Sequence, residues 1–228
     1  MAEGIIPHGL LIAVEGIDGA GKTTLAHTLA KQLRACGIAV TLSKEPTTGP
    51  WGTKLRTSAS EGRLSPEEEL RLLLLDRRQH VDSLIKPALA RDEIVILDRY
   101  YPSTAAYQGA EGMPVPEILA QNAFAPAPDL TLILDLQPAQ GLARIRARGD
   151  VPNHFETAEN LTRCRDIFLT MDLPSRVVLD ASHSFDQVHA AAWNAILRVA
   201  TEKLARHGGD AERAERVLRL GAAVKAGV

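Results

Sequence analysis

The chain has 228 residues, with 26 Lys and Arg against 28 Asp and Glu, a formal charge of −2. At roughly 150 residues per domain, that length allows one large α/β domain or one domain with an appendage, and 45% hydrophobic residues exclude disorder as the main state. The near-neutral balance supplies no general attraction to a nucleic-acid polymer or an anionic membrane, so any polyanion must be gripped by a local site.

At the N-terminus Glu3 precedes a short apolar run that contains Pro7 and His8 and soon meets Glu15, the pattern of neither a signal peptide nor a spanning helix. A soluble, cytoplasmic protein is expected. The two cysteines, Cys36 and Cys164, form no Cys-x-x-Cys pair, which argues against a disulfide scaffold or a zinc ribbon. The apolar run 10–15 predicts a first strand, followed by a Gly-rich turn and a helix over 22–34 that Gly37 stops. A second strand, 39–43, runs into Glu45-Pro46, where the residue before proline is pushed to an extended conformation. Ser65 as N-cap and the glutamates at 67–69 open one long helix over 66–90, interrupted near Pro87. The runs 93–97 and 130–135 read as strands buried on both faces, and 176–180 as a fifth. Helices are predicted at 103–107, 114–122, 138–148, 158–170 and 185–206, and the charged, Ala-rich stretch 208–228 as a helical tail. Strands alternating with helices predict an α/β fold, a five-stranded parallel sheet with helices on both faces, in one domain over 1–207.

Gly16-Ile17-Asp18-Gly19-Ala20-Gly21-Lys22-Thr23 matches G-x-x-x-x-G-K-[ST] at the junction of the first strand and helix, the context that the P-loop NTPase fold requires. Glycines let backbone N–H groups turn inward around a phosphate, and the helix N-terminus adds partial positive charge. Gly16, Gly19, Ala20, Gly21, Lys22, Thr23 and Thr24 are therefore the candidate ATP phosphate-binding residues, with Lys22 reaching the β- and γ-phosphates and the Thr23 hydroxyl on Mg²⁺. Asp98-Arg99-Tyr100 ends the third strand at the carboxyl edge of the sheet, where Asp98 can hold the Mg²⁺ shell and Arg99 offers a planar fork for a second phosphate.

With that pair in place the sequence resembles the thymidylate kinase family. The likeness rests on residues 15–24, on Lys44-Glu45-Pro46, Asp76-Arg77-Arg78-Gln79-His80, Ile85-Lys86-Pro87-Ala88-Leu89, Asp98-Arg99-Tyr100 with Ser103-Thr104-Ala105-Ala106-Tyr107-Gln108-Gly109, and Pro128-Asp129-Leu130. It continues into the arginines of 144–148 and covers roughly residues 10–200 in order. The resemblance implies ATP- and Mg²⁺-dependent phosphorylation of dTMP and a homodimer. It implies further that Asp18 lies near the 3′-hydroxyl of the acceptor sugar, that Arg77 hydrogen-bonds the pyrimidine and approaches the acceptor phosphate, and that Arg99 grips that phosphate. Tyr107 would lie against the sugar and exclude a 2′-hydroxyl, Thr104 and Gln108 would face the base, and Glu45 and Pro46, with a cis peptide bond, would wall the acceptor.

In this family a catalytic arginine comes from the phosphate loop or from a lid. Residues 17–20 hold no arginine, so the likeness points to a lid over 144–156 with Arg144, Arg146 and Arg148. The i,i+4 pair places Arg148 as the finger and Arg144 as its support. Leu73 stands where the family usually stacks a phenylalanine on the base, Thr47-Thr48-Gly49-Pro50-Trp51 replaces a Gly-Gly or Arg-containing turn, and His154 takes a place often held by arginine. These departures leave two other readings: a kinase for another deoxynucleoside monophosphate or a deoxynucleoside, and a non-catalytic ATP-binding switch.

Overall fold

The computed structural model describes residues 6–61, 64–147, 149 and 157–207. Five strands, β1 Leu10–Gly16, β2 Val40–Lys44, β3 Ile94–Asp98, β4 Leu130–Asp135 and β5 Arg176–Asp180, form one parallel sheet in the order β2-β3-β1-β4-β5. β1 and β3 bury every residue, as their continuous apolar runs require. β1 pairs with β3 on one side, Leu10 opposite Ile94, and with β4 on the other, Ile12 opposite Leu130. It therefore lies at the centre, where the strand order reverses. Ligands of open α/β sheets bind outside the carboxyl ends of the strands at such a point.

Nine helices are described: α1 Lys22–Ala35, α2 Pro50–Glu61, α3 Pro66–His80, α4 Lys86–Ala90, α5 Tyr101–Ala110, α6 Val115–Gln121, α7 Pro138–Ala147, α8 Ala158–Thr170 and α9 Phe185–Arg206. α1 and α9 pack against the sheet and each other, while α4, α5 and α8 pack against it from the other group of helices. Asp129 fastens the two ends of the domain: its carboxylate accepts the Leu11 N–H and the Lys203 ammonium, each at 2.8 Å.

Three elements differ from expectation. No helix is predicted over α2, whose first turn holds Pro50 and Gly52, residues that read as a loop. Its start is held from a distance instead: Asp76 on α3 accepts from Thr47 N, Thr47 Oγ1 and Gly52 N at 2.7, 2.6 and 3.1 Å. The stretch 66–90 is not broken at Pro87. One π-helical segment, Val81–Ile85, precedes α4, and the wider turn accommodates a proline that lacks an N–H and crowds the preceding carbonyls. α5 begins earlier than predicted, with Pro102 in its first turn, where a missing N–H costs nothing. Arg148, most of the expected lid and the tail 208–228 lie outside the described residues.

Candidate active site

The carboxyl ends of β1, β2 and β3 open into two clefts. The first is lined by Asp18, Gly19, Gly21, Lys22, Thr23, Thr24, Lys44, Asp98 and Arg99, with an empty volume of about 470 Å³. The second, about 590 Å³, is lined by Asp18, Glu45, Pro46, Glu69, Leu73, Arg77, Arg99, Tyr100, Ser103, Thr104, Tyr107 and Gln108. Asp18 and Arg99 belong to both and form the wall between them.

In the first cleft Gly16 and Ala20 do not line the cavity. Gly16 turns the chain off β1 at φ 135°, with Leu134 O 2.5 Å from where a Cβ would sit, and Ala20 is buried beneath the loop. Gly19, at φ 81°, lies so close to the Gly141 backbone that neither residue has room for a methyl group: a Cβ on Gly141 would stand 2.6 Å from Asp18 O. α7 is thereby seated on the phosphate loop. From α7, Arg144 reaches Gly19 O at 3.5 Å and Ala181 O at 2.9 Å, linking the loop to the segment after β5. Arg146 points to solvent.

Lys22 donates to Ile17 O at 2.8 Å and lies 3.6 Å from Asp18. Burial first, then the positive charge of Arg99, pushes its pKa down to about 8, against the pull of Asp18, Asp98 and Glu15. Thr23 Oγ1 donates to Asp98 Oδ2 at 2.6 Å, and Asp98 Oδ1 is buried with no hydrogen-bond partner among the described residues. A buried, orphaned carboxylate oxygen beside a hydroxyl is the hard-oxygen donor set that suits Mg²⁺, a cation that takes one or two protein oxygens and fills its remaining positions with phosphate and water. Among the described residues no group of three or more His, Cys, Asp or Glu gathers as a metal site.

The second cleft collects all nine residues expected on the acceptor side. Asp18 pairs with Arg99 Nη2 and accepts from the Tyr107 hydroxyl at 2.8 Å. Burial alone would raise the Asp18 pKa, but Arg99, Lys22 and Tyr107 together hold it well below the usual carboxylate range. The same pairing outweighs burial at Arg99 and strengthens its hold on its proton. Tyr107 also lies under the guanidinium, 5.0 Å from its ring centre. The Glu45-Pro46 peptide bond is cis. Leu73 supplies an apolar wall, and the buried Gln108 Oε1 has no hydrogen-bond partner among the described residues. Trp51 is half-buried on α2 and lines neither cleft.

Arg77 is 1% exposed and largely committed to the fold. Its Nε donates to Glu45 Oε2 at 2.8 Å, Nη1 to Asn122 Oδ1 at 2.5 Å and Nη2 to Thr104 Oγ1 at 2.9 Å. Glu45 Oε1 in turn faces His80 Nδ1 at 2.9 Å, and His80 Nε2 faces Ser43 Oγ at 2.8 Å. Sequence reasoning missed Asn122 and Ser43, and it missed Glu69, Tyr100 and Ser103 in the cleft wall and Lys44 in the first cleft. Ser103, one helical turn after Arg99, and Tyr100 and Lys44, each next to an assigned residue in a quoted motif, were within reach; Asn122, Ser43 and Glu69 carry no local signal.

A phosphate-loop motif at the end of β1 and a second cleft that shares its wall are the architecture of a P-loop phosphotransferase. The comparisons with known proteins narrow this. The family model described as thymidylate kinase matches residues 14–192. Proteins named thymidylate kinase are similar over nearly the whole chain. The one from Xanthomonas oryzae pv. oryzae (strain PXO99A) is 59% identical over 214 residues, 94% of each chain. That from Xanthomonas euvesicatoria pv. vesicatoria (strain 85-10) is 62% identical over 205 residues, 90% of this chain and 89% of the relative. That from Xylella fastidiosa (strain M12) is 58% identical over 208 residues, 91% and 96%. The chain belongs to the thymidylate kinase family, a family of nucleoside monophosphate kinases. Among the described residues no helix is long and apolar enough to cross a membrane.

Proposed function

We propose that the chain carries out its family's reaction, the phosphorylation of dTMP to dTDP with ATP as donor, across the wall that the two clefts share. The observation that carries this reading is the position of Asp18 and Arg99 in both cavities. One arginine there can meet the phosphate that attacks while the loop holds the phosphate that is transferred, so both reactants are positioned by one rigid edge of the sheet.

Phosphoryl transfer asks for positioning and cationic stabilisation more than for covalent chemistry. Lys22 and the loop N–H groups hold the donor phosphates, and Arg99 orients the acceptor phosphate. Asp18 and Tyr107, already joined by a hydrogen bond, face the acceptor sugar, Asp18 near its 3′-hydroxyl and Tyr107 where its bulk excludes a 2′-hydroxyl. Leu73 and Gln108 meet the base with Arg77, whose second Nη1 hydrogen is the one that no described residue engages. Thr23 and Asp98 would hold Mg²⁺, which when bound spreads the negative charge of the donor phosphates. The lid arginines supply the remaining positive charge, with Arg148 as the finger and Arg144 as its support. This reading includes a homodimer in the cytoplasm, supported by family membership, with light scattering as its check.

An assay coupled to ADP release, run across dTMP, dUMP, dCMP, dGMP, UMP and AMP, tests the substrate. dTMP is expected to give the highest kcat/KM. Turnover on another monophosphate with none on dTMP would overturn the reading.

A further inference from the structure

We infer that Glu15 is the positioning residue for Arg99: through the Tyr100 N–H and the Ser103 hydroxyl, its carboxylate fixes the guanidinium in the orientation that receives the acceptor phosphate. The inference rests on the proposed assignment of that phosphate to Arg99.

Glu15 sits at the carboxyl end of β1 and is fully buried. A carboxylate there is costly unless its oxygens are satisfied. Its two oxygens accept from two donors that follow Arg99 closely in the chain: Oε1 from Tyr100 N at 2.7 Å and Oε2 from Ser103 Oγ at 2.5 Å. Ser103 Oγ then accepts from Arg99 Nη1 at 3.1 Å. A serine hydroxyl has one hydrogen, and an ionised carboxylate can only accept, so Glu15 in its ionised form takes that hydrogen and turns the oxygen lone pairs of Ser103 toward Arg99. The backbone is held as well as the side chain. Arg99 has φ 75°, a left-handed conformation that a non-glycine residue adopts only where its surroundings impose it. It is gripped on both sides by β1: Arg99 N donates to Val14 O at 3.1 Å, and the next N–H goes to Glu15.

The two ends of the guanidinium thus have different partners. Nη1 faces the interior through Ser103 and Glu15, whereas Nη2 faces the cleft through Asp18 and Tyr107. A phosphate can replace the partners of Nη2 without disturbing the brace on Nη1. This division explains why a fully buried acid lies directly behind the residue that meets the substrate.

The test is steady-state kinetics of the full chain with Ser103→Ala, Glu15→Gln, their double variant and Arg99→Ala, each checked by thermal melting. Glutamine must donate from its amide, so it cannot accept at both positions as Glu15 does. Ser103→Ala and Glu15→Gln are each expected to raise KM for the monophosphate roughly tenfold, with KM for ATP changed less than about twofold. Because both act through one chain of hydrogen bonds, the double variant should be no worse than the poorer single one. An unchanged monophosphate KM in Ser103→Ala, an equal rise in the ATP KM, or multiplicative losses in the double variant would each overturn the inference, and Ser103→Ala decides alone if Glu15→Gln does not fold. Arg99→Ala separates this from the assignment beneath it. If it leaves the monophosphate KM unchanged, the assignment of the phosphate to Arg99 is wrong; if it raises that KM while Ser103→Ala does not, only the brace is wrong.

Discussion

The donor cleft is built largely from residues adjacent in the chain, the acceptor cleft from residues far apart in it. On the donor side one contiguous loop, the start of α1 and the end of β3 supply the whole lining apart from Lys44. On the acceptor side Glu45, Thr104 and Asn122 come from three separate segments and meet Arg77 and His80 of α3 in one buried hydrogen-bonded network. The difference teaches where function and stability are separable. A donor residue can be removed with little effect on the fold, whereas the acceptor network is part of what holds the domain together.

That separation is strongest at Lys22. Lys22→Ala is expected to lower kcat by roughly 10³-fold or more, the loss of a cation preorganised for the transferred phosphoryl group. Melting should stay within about 2 °C of the parent, because burial already works against this lysine's charge. An unchanged kcat, or a collapse of the melting temperature, would break the contrast. Glu45→Ala is the opposite case. It strips the carboxylate from a nearly fully buried arginine and from His80, and uncompensated buried charge costs about 3–5 kcal/mol. A fall of roughly 10 °C in the melting temperature is expected, with a raised monophosphate KM.

Glu15 sharpens the comparison because it stands behind both clefts. Burial raises its pKa from the ordinary 4.5 to about 7, against the opposing pull of the Ser103 hydrogen bond, Arg99, the Tyr100 N–H and Lys22. The folded chain therefore holds this proton over a range in which the unfolded chain has released it. Stability from this group is complete below about pH 4.5 and is lost as pH rises toward and through 7, by about 3 kcal/mol in all. Chemical denaturation between pH 5 and pH 7.5 should show that decline, and Glu15→Gln should flatten it; an identical slope in the variant would show that another group is responsible. The smallest effect is expected at Leu73→Phe. An aromatic wall adds about 0.5–1.5 kcal/mol to a stacked contact, so KM for dTMP should fall about two- to tenfold, with the ATP KM and the melting temperature unchanged.

The same contrast governs how much could be read in advance. The phosphate loop, the five strands and most helices are visible because each depends on neighbours within a few residues: glycines at the turn, apolar runs in β1 and β3, and Ser65 as a cap for α3. The nine acceptor residues came from likeness to a family, since nothing local joins Glu45 to Arg77 across 32 positions. α2 was hidden for a related reason. Its start is fixed by Asp76, 24 positions beyond Gly52, so no window around Pro50 contains its cap. Ser43, Asn122 and Glu69 are ordinary polar residues until the fold brings them together. The π-helical segment before Pro87 is a compromise between a continuous helix and a residue that cannot donate, and the sequence states the conflict without its outcome.

The contact between Gly19 and Gly141 limits how this enzyme can vary. Where two side chains meet, a larger one can be offset by a smaller one opposite, and related proteins can drift through such paired changes. Here each glycine faces main chain: Gly19 the backbone of Gly141, and Gly141 the carbonyl of Asp18. Main chain cannot shrink, so a methyl on one side has no compensating change on the other. The phosphate loop and α7 must then move as one piece, and any displacement of Arg144 toward a nucleotide carries the loop with it.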